Sequence, residues 1–452
     1  MHVRRSATAI AALAVTAGLG TGFAPTALAG DAASAAAGSS PAPTASPSQA
    51  IPTGLYGSTD PTYDGVWRQS LALLALDTVG EEPGAGAVRW LVGQQCANGA
   101  FPAYRPDTTA PCDAGTAVDT NSTAAAVQAL AAVGGQDAAA GRAVRWLKDG
   151  QNDDGGWGYT AGGPSDANST SAVIGALAAV GDAPGKQAKD GHTPYDALRA
   201  LALPCGDGND GKDGKGDKGG KGRAKDGGAF AYQPDKKGGL TANADATAAA
   251  VLGSLGAGFA AGAGSGPGAR GDVAEECVPG DSPEELAHNG AVHLAGALTA
   301  DGYLKSSLAG AEDQPDHGTT ADAVVALAAA GDVDATGKPL AWLEKNHGAW
   351  AAKAGPAAYA QLVLAAHASG ADPRDFGGAD LVARLKDTGP AGEVDDHSSV
   401  PVDDEAIDDT SYDAGLGSGT WWAIGLGGAV AAVGAVVAGF VLAKARRKRR
   451  EG

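Results

Sequence analysis

Four short stretches carry the oxygens that could do chemistry. They read Asp119-Thr120-Asn121-Ser122-Thr123, Asp166-Ala167-Asn168-Ser169-Thr170, Asn243-Ala244-Asp245-Ala246-Thr247 and Asp316-His317-Gly318-Thr319-Thr320. Each runs on in Ala, Val and Leu, the pattern of a helix that starts on a side-chain cap. A cap uses one oxygen to accept a backbone N–H, which leaves other oxygens for a ligand. Helix-start N–H groups add partial positive charge beside them. The expected ligand-binding residues are therefore Asp119, Asn121, Asp166, Asn168, Asn243, Asp245, Asp316 and Thr320. Asp245, the only acid among the middle positions of these stretches, is the alternative catalytic candidate.

The elements that position these stretches come from a repeat. RWLVGQQCANGAF from Arg89 and RWLKDGQNDDGGWGY from Arg145 are two copies of one unit. Trp90 and Trp146, Gln95 and Gln151, Gly99 and Gly155, and Phe101 and Trp157 share one spacing. Weaker copies start at Tyr195, Ala291 and Pro339, and a last opening at Ala379. The Trp-Leu helices carry Arg, Lys and Asp on one side, which places them outside. The Ala/Val/Leu helices that alternate with them are apolar nearly all round, which places them inside. Trp67–Val79 and Pro356–Ala368 read as the first and last inner helices. A hairpin of two such helices cannot bury its apolar face alone, whereas stacked hairpins can. The fold class is all-α, and alternating helices over Trp67–Lys386 suit an α6/α6 toroid of six helical hairpins.

The two strong units resemble the QW repeats of the prenyltransferase and squalene-oxidase repeat family, which includes terpene cyclases, protein prenyltransferase β subunits and cobalamin carriers. The resemblance implies that Gln95 and Gln151 cap helix ends, that Phe101 and Trp157 fill gaps between hairpins, and that these residues tie successive outer helices together. It also supplies an enzymatic alternative. Class II cyclases protonate an alkene with the middle acid of Asp-x-Asp-Asp-Thr, which demands a strong acid. Asn121 and Asn168 replace that acid here, and Asp245 lacks acidic partners in its own stretch. The prenyltransferase zinc set of Asp, Cys and His has no matching pattern, so no metal and no cofactor is expected. His293, His317, His347 and His367 read as surface or capping residues. The resemblance to cobalamin carriers points instead to capture of a small ligand, such as a corrinoid-like cofactor, for a membrane importer. A cell-wall scaffold or interaction protein is a further reading.

The ends of the chain set the compartment. Arg4 and Arg5 precede the apolar run Ala7–Gly20 and then Ala27-Leu28-Ala29, a secretory signal peptide over 1–29. Residues 30–54 are an Ala/Pro/Ser leader, and 55–388 hold the toroid, with a Gly/Asp/Lys insertion at 206–228 read as a disordered surface loop. An acidic stalk follows at 389–419. The uncharged run Trp421–Ala443 would form a helix roughly 34 Å long at 1.5 Å per residue, enough to cross a bilayer within the span 420–443. Lys444–Arg450 reads KARRKRR, so the tail 444–452 belongs in the cytoplasm and the toroid outside. The expected location is the cell membrane, by one C-terminal helix. The net charge of −19 excludes nucleic acid as a partner. The four cysteines suit an oxidising compartment. Of the three pairings open to them, Cys96 with Cys112 and Cys205 with Cys277 is the expected one.

Overall fold

The computed structural model describes residues 51–205, 226–264, 276–307 and 311–390. They are mostly helical. The Ala-rich helices are α1 (Gly65–Thr78), α3 (Thr120–Val133), α5 (Ala167–Ala179), α7 (Ala244–Ser254), α9 (His317–Ala330) and α11 (Pro356–Ser369). Between them come α2 (Ala85–Gly93), α4 (Asp137–Asp149), α6 (Pro194–Leu201), α8 (Pro283–Leu298), α10 (Val333–Ala354) and α12 (Leu381–Asp387). A two-stranded antiparallel ladder, Leu304–Lys305 on Pro315–Asp316, precedes α9. Two helices start earlier than the repeat suggested. Pro283 opens α8 behind a Ser282–Glu285 capping box, and Asp332 caps α10 ahead of Pro339. In both cases a capping residue upstream of the recognisable motif sets the boundary.

The two sets of helices bury themselves differently. Every residue from Thr120 to Leu130 in α3, and from Ala167 to Leu177 in α5, is buried. In α4 only Ala139, Ala140, Ala143, Val144 and Leu147 are, a single stripe at helical spacing. The Ala-rich helices pack against one another in the order α1, α3, α5, α7, α9, α11, and α11 packs back on α1. Each even-numbered helix packs on the Ala-rich helix before it. Alanine and glycine permit this: Gly253 of α7 lies so close to Ser171 of α5 that a Cβ there would meet the serine oxygen at 2.5 Å.

One hydrogen-bonded junction recurs where the chain turns inward. Phe101, Trp157, Phe230 and Leu304 donate their backbone N–H to the hydroxyls of Thr123, Thr170, Thr247 and Thr320, at 2.9, 3.0, 2.9 and 3.0 Å. The hydroxyls of Thr123 and Thr247 in turn donate to the carbonyls of their own N-cap residues, Asp119 and Asn243, at 2.7 Å each. The cap N–H groups of Asp119, Asp166 and Asn243 donate to the carbonyls of Phe101, Trp157 and Phe230. Each buried aromatic thus has both backbone groups satisfied by the next inner helix, as buried backbone requires.

The glutamines act between outer units. Gln95 donates to the carbonyls of Gly99 and, on α4, Ala139, at 3.0 and 2.9 Å. Gln151 donates to Gly155 O at 2.8 Å and accepts from Gln187 at 2.8 Å. Gly155, at φ +87°, sits where a Cβ would lie 2.2 Å from Thr193 O at the start of α6. Gly99, at φ +97°, stands in the same relation to Arg142 O on α4, at 2.3 Å.

A segment not distinguished in the sequence fills space among the Ala-rich helices. Ala257, Phe259, Ala260 and Ala261, just after α7, are all buried. Phe259 donates its N–H to Gln128 Oε1 of α3 at 2.6 Å and meets Trp67 of α1 edge to face, centroids 5.4 Å apart. Gly258 presses on Gly175 of α5, and Gly264 donates to Ala328 O of α9 at 2.9 Å. One loop therefore touches four inner helices besides its own.

Both disulfides join as expected, Cys96 to Cys112 and Cys205 to Cys277. Sequence separations of 16 and 72 correspond to about 3 and about 4 kcal/mol of constraint on the unfolded chain. No helix among the described residues is long and apolar enough to cross a membrane. The signal peptide, most of the leader, most of the insertion, most of the stalk, the span at 420–443 and the tail lie outside the described residues.

Thr170→Val should strand the Trp157 N–H without an acceptor and cost about 1–3 kcal/mol, read by denaturant unfolding, while Thr170→Ser stays near wild type. Equal stability of all three would remove the junction from the account. Gly155→Ala should cost at least as much, since the left-handed backbone alone disfavours a side chain by about 1–3 kcal/mol and the Thr193 carbonyl blocks the Cβ.

Candidate functional site

The four polar stretches divide into caps, ties and a remainder. Asp119, Asp166, Asn243 and Asp316 accept from the N–H groups of Ser122, Ser169, Ala246 and Thr319, at 2.6, 2.7, 2.9 and 2.9 Å. These four are N-caps of α3, α5, α7 and α9. Thr320 is fully buried and occupied by the junction with Leu304 and by its bond to the Asp316 carbonyl. Its duty is structural. Asn121, Asn168 and Asp245 remain. Each is the second residue past its cap, on three inner helices that pack in succession.

These three are only 8, 3 and 8% exposed. Asn168 donates its amide to Asp245 Oδ2 at 2.7 Å. The oxygens Asn121 Oδ1 and Asn168 Oδ1 are buried with no hydrogen-bond partner among the described residues. An unmet acceptor in such a place costs about 1–3 kcal/mol.

Two residues outside the expected set extend the group. On α9 the equivalent position is Gly318, and Asp322 stands one turn further on. A helical side chain leans back toward its N-terminus, so Asp322 reaches toward the level that Gly318 leaves empty. Asp322 is 4% exposed and accepts from Gln361 Nε2 of α11 at 3.3 Å. The group thus takes one polar residue from each of α3, α5, α7, α9 and α11: Asn121, Asn168, Asp245, Asp322 and Gln361. On α1, Trp67 packs edge-on to Phe259. The Phe259 loop meets α3 and α5 about two turns deeper, at Gln128 and Gly175.

The electrostatics follow from burial. Desolvation pushes the Asp245 carboxyl up to about 7, and the charges of Asp316 and Asp166 add to the rise against the opposing Asn168 bond. Burial raises Asp322 well above the ordinary carboxylate range, with Asp245 and Asp316 contributing. Burial also lifts Asp119 and Asp166 to about 6, against the bonds each accepts from Ser122 and Ser169. Among the described residues no ion pair reaches Asp166, Asp245, Asp316 or Asp322.

Two of the histidines expected at the surface or in caps, His317 and His347, pack against aromatic rings instead. His317 lies between Trp342 and Trp350, centroids 4.7 and 5.2 Å away. His347 packs edge-on to Phe376 and bonds through Nδ1 to the Leu343 and Glu344 carbonyls at 3.1 Å each. A cavity of about 440 Å³ opens elsewhere, beside the Cys205–Cys277 disulfide, between α6 and α8 and lined by Arg199, Phe230, Leu286 and Asn289.

Asp322 carries a signal of its own in the sequence. It is a lone acid in an otherwise apolar helix, and an acid buried on a helix without a polar face is a functional candidate. Gln361 on α11 carries a similar, weaker signal.

No family model matches the chain, and no curated protein does. Among solved structures, a crystal structure of a protein from Actinoplanes is similar at 15% identity and a TM-score of 0.42, covering 71% of this chain and 95% of that one.

Between its ordinary 3.8 and about 7, Asp245 holds a proton in the folded chain that the unfolded chain has released. Folding then binds protons, so this group lowers stability as pH rises through that window, by at most ~1.4 kcal/mol per pH unit. Asp245→Asn keeps an acceptor for Asn168 and removes the titration. Thermal unfolding should find the variant more stable than wild type at pH 8 and similar at pH 3.5. A pH-independent difference would contradict the assigned burial.

Proposed function

We propose that this chain is a membrane-anchored, extracytoplasmic α6/α6 toroid that binds a small ligand without transforming it. The return of α11 onto α1 supports the toroid. In a toroid the inner helices share one direction and gather their N-termini at one mouth, where the five polar residues stand. The observation that carries the binding reading is the pair of buried oxygens, on Asn121 and Asn168, that no described residue satisfies. The two disulfides are consistent with an oxidising compartment, and the anchor rests on the sequence of Trp421–Ala443.

The enzymatic alternative is weaker on chemical grounds. An acid that protonates an alkene must give up its proton readily, whereas burial makes Asp245 a poor acid at about 7. All four cysteines are in disulfides, so none is left as a thiolate for zinc. The Phe259 loop speaks for the scaffold reading at depth, because it fills space there. It leaves the polar level to a ligand, and it favours a small group entering that level. A corrinoid, much wider, would rest across the mouth, with a membrane importer receiving it.

Native mass spectrometry of the full-length chain purified from its own host should show a co-purifying small molecule, lost in an Asn168→Leu variant that still folds. Repeated recovery of empty wild-type chain would favour the scaffold. Turnover of an isoprenoid diphosphate that Asp245→Asn abolishes would replace binding with catalysis.

A further inference from the structure

The collar has a chemical bias that narrows its ligand, provided that the binding reading holds. We infer that the group seated there is a small organic cation, an ammonium held between Asp245, Asp322 and the free amide oxygens of Asn121 and Asn168.

The collar offers acceptors out of proportion to donors. Asn168 has committed one amide hydrogen to Asp245, and Gln361 donates to Asp322. Two amide oxygens have no partner among the described residues; Asp245 is bonded to Asn168, Asp322 lies within electrostatic reach of Asp245, and no cationic side chain of the described residues is in an ion pair with either carboxyl. A protonated amine presents donors and positive charge together, which answers both deficits at once. An anion would meet the carboxyls, and a neutral hydroxyl would satisfy an oxygen without balancing charge. A metal ion fits less well: no three Asp, Glu, His or Cys side chains among the described residues are grouped to hold one.

Burial fits the same picture. With no cation in place, burial shifts Asp245 and Asp322 toward their protonated forms. Seating an ammonium would favour their charged forms, so binding should release protons near neutral pH.

The test uses the full-length chain in detergent with three probes: butylammonium, choline and n-butanol. Calorimetry at pH 6.5, in two buffers of different ionisation heat, should detect at least one ammonium, no n-butanol, and net release of protons on binding. Asp322→Asn and Asp245→Asn, each shown to be folded by circular dichroism, should weaken the ammonium by tenfold or more. Equal binding of n-butanol would overturn the cation and leave the binding reading standing. Ammonium binding unchanged in both variants would put the site elsewhere and overturn the proposal. Silence from all probes, with a natural ligand still co-purifying, would also reject the cation alone. Silence together with empty chain from the host would reject the binding reading itself.

Discussion

Burial of helices that have no polar side is the constraint on which this structure depends. Ala-rich helices contribute little area each, so they must be surrounded to be worth forming. Surrounding them strands the backbone of every loop that enters. The threonine junction resolves this. A hydroxyl one turn into the helix accepts the N–H of the buried residue that closes the preceding outer unit, and the cap N–H meets that residue's carbonyl at Phe101, Trp157 and Phe230. Both elements are fixed by the same few bonds, and the N-cap falls at a set distance from the aromatic. The register of the inner helices, and with it the level at which Asn121, Asn168 and Asp245 stand, follows from that geometry.

The repeat made most of this legible. The pattern of apolar all round against apolar on one stripe separated the two sets of helices, and each capping cluster located a helix start within a residue or two. Asp119, Asp166, Asn243 and Asp316 are caps because their types and places allow little else. What the sequence hid is three-dimensional. Asp322 falls outside the aligned motif and matters only because α9 carries glycine at the level where its neighbours carry Asn or Asp. The partnership of Asn168 with Asp245 joins helices far apart in the chain. The segment at Phe259 looks like the start of a Gly/Ala-rich linker, and nothing local in Gly-Ala-Gly-Phe-Ala-Ala says that it turns inward. Small residues allow it to pass between helices, and the contacts that hold it belong to α1, α3, α5 and α9.

The candidate site shows how a structural repeat can yield a functional place by local departure. Asn at the second position past the cap in α3 and α5, acid in α7, glycine in α9 and alanine in α11 are changes on a constant frame. The ties that build the frame use the cap and the threonine, so the position between them is free to vary without loosening the helix start. Chemistry can therefore differ from unit to unit while the backbone remains alike.

The packing of α11 on α1 has a consequence for how the molecule tolerates loss. An open array of repeats can be shortened, because its end units carry polar outer faces and shield whatever lies inside. Here the first and last units shield each other, and Glu81 fastens the seam from outside to Arg374 and Lys386 at 2.7 Å each. Neither terminal unit has a finished outer wall of its own. Removing a single hairpin would uncover two greasy flanks together, so truncation is an all-or-nothing matter, and length variation among descendants of such a chain must be confined to its loops.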